Sequence, residues 1–98
     1  MGNLMKNSST VFSLADLEKK ENLKVMHLIN TIADHVGKGA SIGFVPAMLI
    51  RTRKVVLLPW QKTRLRNLAI KGMVRMVESG QAHDVLDYAG LIRAIKQS

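Results

Sequence analysis

Apolar residues recur at helical spacing in three stretches of this chain, separated by segments rich in glycine, proline and charge. In the first, Leu14, Leu17, Val25, Leu28, Ile29, Ile32, Ala33 and Val36 fall on one helical face, and Lys19, Lys20 and Lys24 fall elsewhere. Ser13 with Asp16 three residues later reads as the helix start. Phe12 and Leu17 take the staple positions, and Gly37 reads as the stop. In the second, Pro59 stands at a first helical position, and Leu65, Leu68, Ala69, Met73, Met76 and Val77 line one face up to Ser79-Gly80. The third predicts a helix from about Ala82 to Lys96 with Val85, Leu86, Ala89, Ile92 and Ile95 as its stripe. Asp84 suits its N-terminal end, and Arg93 and Lys96 its C-terminal end.

Residues 42–58 fit two descriptions. Pro46 can open a short helix through Ala47, Met48, Leu49 and Ile50, with an extended piece after it. Alternatively, the apolar runs on either side of Arg51-Thr52-Arg53-Lys54, with the β-branched Val55-Val56, form a hairpin. The short helix is the favoured form. The expected fold is therefore mainly α: a small bundle of three main helices with a short helix or hairpin between the first and second. Residues 1–12, polar and small, read as a flexible arm before a single helical domain over 13–98.

The composition supports a packed core of modest size, since 47% of the 98 residues are hydrophobic and 22% charged. With four aromatics against six methionines, that core is mostly aliphatic. The absence of cysteine removes disulfides, thiolate metal sites and cysteine nucleophiles. No signal-peptide-like run or membrane-spanning stretch is evident, so a soluble intracellular protein is expected.

Charge changes the picture most. Between Asp34 and Glu78 stand nine Lys or Arg residues and no acidic one, while the flanking segments are close to neutral. The middle of the chain thus carries the formal net charge of +8, and a field of this sign draws polyanions at long range. The candidate nucleic-acid-binding residues are Arg51, Arg53, Lys54, Lys62, Arg64, Arg66, Lys71 and Arg75. Five of them lie on the helix that begins at Pro59, where a solvated arc of cations can neutralise phosphates without reading sequence.

Other chemistries fit poorly. The Gly37–Gly43 loop lacks the spacing of a nucleotide-binding loop and follows a helix rather than a strand, so it reads as a connector. His27 and His35 are eight residues apart, which makes no ligand pair, and no metal or cofactor is expected. His35 reads instead as a helix C-terminal residue. No nucleophile and base can be assembled, so no enzyme activity is expected. A base-reading helix-turn-helix is opposed by Asp84 and Asp87 on the last helix. Trp60, the lone tryptophan, is expected to anchor the core.

The reading is a small basic protein that holds the nucleic-acid backbone, RNA or DNA, with little sequence specificity, as a dimer or assembly subunit. Its general look is similar to that of small basic helical proteins of viruses and mobile elements. The alternative is an interaction subunit docking a basic, Met/Leu-rich face, including Met48, Leu49, Met73 and Met76, on an acidic protein. An anionic membrane surface ranks third.

Overall fold

The computed structural model describes the backbone from Leu14 to Ser98 and the side chains from Lys19 onward. Four helices follow one another: α1 (Leu14–Lys38), α2 (Val45–Arg51), α3 (Pro59–Glu78) and α4 (Ala82–Gln97). No strand occurs among the described residues, so the 42–58 segment takes the helical form, with an extended stretch after it. The Ser13 cap, the Phe12–Leu17 staple and the arm over 1–12 lie outside the described residues.

On α1 the buried residues Val25, Leu28, Ile29, Ile32 and Val36 keep the predicted spacing. The helix passes Gly37 and stops one residue later. Gly39, at φ 67°, makes the turn, and the amides of Gly39 and Ala40 donate back to Val36 and His35 in a Schellman arrangement. Gly80 does the same for α3, at φ 74°, with Gln81 donating to the Met76 carbonyl.

The loop after α1 is fastened to α4. The Tyr88 hydroxyl donates to the Ala40 carbonyl at 2.7 Å, and Ser41 Oγ donates to Asp87 Oδ2 at 2.9 Å. The Gly43 amide then donates to Ser41 Oγ. These bonds spend the loop's polar groups on α4 and set the angle at which α2 arrives. α2 then lies against α4, with Ala47 and Ile50 buried.

α4 packs on α3 as well as α2, while α1 packs on α3. Its buried residues are Tyr88, Leu91, Ala94 and Ile95, with Val85 and Ile92 half-buried. This corrects the predicted stripe: Leu86 is 70% exposed, and Tyr88 takes a central place. The Tyr88 ring lies across Gly72 of α3, so close that a Cβ there would fall against the ring carbons. Burial pushes the Tyr88 hydroxyl pKa up, with Asp84 adding to the effect and Arg75 opposing it.

At the other end of α3, Gln61 is fully buried one turn before Leu65. Its Oε1 accepts from the amide of Leu58, the N-cap residue, at 2.7 Å, which is the reciprocal half of a capping box; Leu58 has no side-chain oxygen to make the other half. Its Nε2 makes no hydrogen bond among the described residues.

Candidate nucleic-acid interface

The core side of α3 consists of Gln61, Leu65, Leu68, Ala69, Gly72 and Met76. At 3.6 residues per turn this places Arg64, Lys71 and Arg75 together on one flank, at intervals of seven and four residues. All three are exposed. The row extends about 16 Å along the helix, a length over which a DNA duplex carries about nine phosphates. Arg66, also exposed, stands on the opposite flank near the side of the half-buried Lys62.

The structure therefore divides the predicted cations into groups. Arg51, Arg53 and Lys62 meet around a groove of about 400 Å³, whose apolar wall includes Ile50, Val55, Leu57 and Ala94. Lys62 Nζ donates to the Ser98 carbonyl at 2.9 Å across this groove. The Arg51 guanidinium reaches toward α4 beside Gly90. Lys54 is exposed in the turn between the groove and α3.

Arg75 lies at the other end of α3, beside Gly39, in a shallow hollow shared with Lys38, Glu78, Ser79 and Gln81. The C-terminal ends of α1 and α3 are thus neighbours. Lys38 is paired with Asp34 at 3.0 Å. None of the eight predicted cations is paired with a carboxylate among the described residues. Of the nine cations in the acid-free run, Lys38 alone has a carboxylate partner among the described residues.

Arg53 is the one described non-glycine residue at positive φ, 61°. A left-handed arginine costs about 1–2 kcal/mol relative to an ordinary conformation, and glycine is the usual occupant of such a helix-ending position. The turn is held by the Arg53 amide donating to Ile50 and the Val55 amide donating to Leu49.

Trp60 does not anchor the core. It is 55% exposed, because the register that puts Gln61 inside turns its neighbour outward. Leaving that much tryptophan surface in water forgoes about 3 kcal/mol of burial, which marks the site as one a partner can use. Met76 is fully buried and Met73 half-buried, so the apolar surface α3 offers is instead Ile70, Val74 and Val77, all exposed. Val77, a member of the predicted core stripe, is 64% exposed, which corrects that stripe.

His35 Nδ1 bonds the Thr31 carbonyl within α1 at 2.7 Å. Among the described residues no group of three or more His, Asp or Glu is placed to hold a metal ion. No protein family, curated protein or solved structure matches this chain.

Proposed function

We propose that the protein binds the sugar-phosphate backbone of nucleic acid through α3, with Arg64, Lys71 and Arg75 as the central row. The observation that carries this reading is that row, exposed along one flank with no carboxylate partner among the described residues. Unpaired cations at helical intervals suit a regular polyanion, and contacts to phosphate carry no sequence information directly. Arg51 and Arg53 extend the positive surface from the α2 side, and Arg66 from the other flank. α4, enclosed by α2 and α3, is a supporting helix in this scheme rather than a reading head.

Protein purified at low salt is expected to carry nucleic acid, seen as an excess of nucleic-acid over protein absorbance that a high-salt wash removes. Protein that is free of nucleic acid at low salt, and that retains none when RNA or DNA is added back, contradicts the reading.

The exposed Ile70, Val74 and Val77 favour a second role for the same helix. Their spacing of four and three residues makes a narrow apolar seam on α3. A second copy seated there leaves the Arg64–Lys71–Arg75 row at the edge of the seam. Dimerisation then multiplies phosphate contacts without new chemistry. An acidic protein partner on the same seam is the competing occupant.

A further inference from the structure

The stretch between α2 and α3 alternates like a strand, with Val55 and Leu57 buried and Val56 and Leu58 exposed at 59% and 48%. Trp60, two residues on, continues the outward series. Arg53 and Lys54, both exposed, stand along the same stretch, and it contains no acidic residue. We propose that this edge is a peripheral docking site for an anionic lipid surface, with Val56, Leu58 and Trp60 entering the headgroup boundary and Arg53 and Lys54 meeting lipid phosphates and carboxylates.

The chemistry of the edge selects among its possible occupants. A nucleic-acid strand uses an aromatic plane for stacking but has no use for two exposed aliphatic side chains beside it. A partner β-strand needs a ladder of free amides. Here the Val55 amide is committed to the Leu49 carbonyl and the Leu58 amide to Gln61, and Pro59 has none. Between Val55 and Pro59 only Val56 and Leu57 have amides without a hydrogen bond among the described residues, and successive residues of an extended chain point theirs to opposite edges, so neither edge carries a ladder there. A lipid interface asks for what is present: aliphatic groups with a tryptophan, and cations at headgroup level. No helix among the described residues is long and apolar enough to cross a membrane, so the contact is superficial.

The sequence contains one tryptophan, and it lies in the proposed contact, so its emission reports the event directly. The full-length protein would be titrated with phosphatidylcholine vesicles and with equimolar phosphatidylcholine–phosphatidylserine vesicles, following emission and co-sedimentation. A shift of Trp60 emission to shorter wavelength with the anionic vesicles, weak or absent with the neutral ones, is expected. The double variant Val56→Ser/Leu58→Ser should weaken partitioning on the order of tenfold. The exposed pair Arg53→Gln/Lys54→Gln, which leaves the apolar core intact, should weaken it about 25-fold, from about fivefold per cation. Unchanged emission and no co-sedimentation with anionic vesicles overturn the proposal. So does equal binding to both vesicle types, or a shift that survives both double variants. Quenching by a single-stranded oligonucleotide without any vesicle-induced shift also overturns it and gives Trp60 to base stacking. Lys71 and Arg75 lie three turns or more along α3 from Trp60, so the double variant Lys71→Glu/Arg75→Glu tests the α3 row while leaving this edge untouched, and failure here is separable from failure of the α3 reading.

Discussion

Gly72 lies where helix propensity and packing disagree. In an exposed helix, Gly→Ala gains about 1 kcal/mol, but here the new methyl group meets the Tyr88 ring. The ring is fully buried and its hydroxyl is fixed to Ala40, so it cannot swing aside. Gly72→Ala should therefore lose about 2 kcal/mol or more, measured by thermal or urea denaturation, and a gain would contradict the close α3–α4 approach. Arg53 presents the opposite case. Arg53→Gly should raise stability by about 0.5–1 kcal/mol, because glycine accepts positive φ and the guanidinium makes no ion pair among the described residues. If binding falls while stability rises, that arginine is kept for its charge. Neither position was conspicuous in the sequence, since a glycine inside a periodic helix and an arginine in a basic run both look ordinary. Trp60 departs from expectation for a different reason. The spacing of Leu65, Leu68, Ala69 and Met76 puts Gln61 inside and its neighbour out, so register overrides the hydrophobicity of the indole.

At the scale of elements, the helices themselves were legible because proline and glycine mark their ends and the apolar spacing is regular. Pro59 and the 59–78 span, the 82–97 span and the short second helix all follow from that chemistry. What periodicity alone could not supply was the rotation of α4. Its stripe turns on Tyr88, a residue whose burial depends on a partner 48 positions away, the Ala40 carbonyl. Tyr88→Phe should cost about 1–2 kcal/mol by leaving that carbonyl without its donor, and should loosen the loop that carries α2. The hydroxyl also gives a pH signature. Its folded pKa lies above the unfolded value of 10.0, so its contribution is complete below about pH 10 and declines as pH rises above it. The variant should lack that part of the alkaline loss when denaturation midpoints are compared across the range. An identical alkaline profile in both proteins would contradict the buried, protonated hydroxyl.

Across the whole molecule, the charge segregation visible in the sequence survives folding, but as separate groups rather than one patch. Three cations surround the groove by α2, while Arg64, Lys71 and Arg75 form a row on α3. Helical spacing alone puts Arg64, Lys71 and Arg75 on one flank, but the meeting of Arg51 and Arg53 with Lys62 depends on how the 52–58 segment returns the chain to α3. Self-association belongs to this scale too. If Ile70, Val74 and Val77 form the seam, sedimentation should show a concentration-dependent dimer that Val74→Glu reduces to monomer, with helix content unchanged. A dimer indifferent to that change would place the seam elsewhere.

The central claim is that the α3 row holds phosphates, and its most direct measurement is the salt dependence of binding to a duplex and to a single strand. With about four to five phosphates neutralised, the logarithm of affinity should fall against the logarithm of salt with a slope of roughly −4. The triple variant Arg64→Glu/Lys71→Glu/Arg75→Glu should flatten that slope by about three units, for every sequence tested, while circular dichroism stays the same. A wild-type slope near zero, or a triple variant that binds with unaltered slope and affinity, would contradict the account.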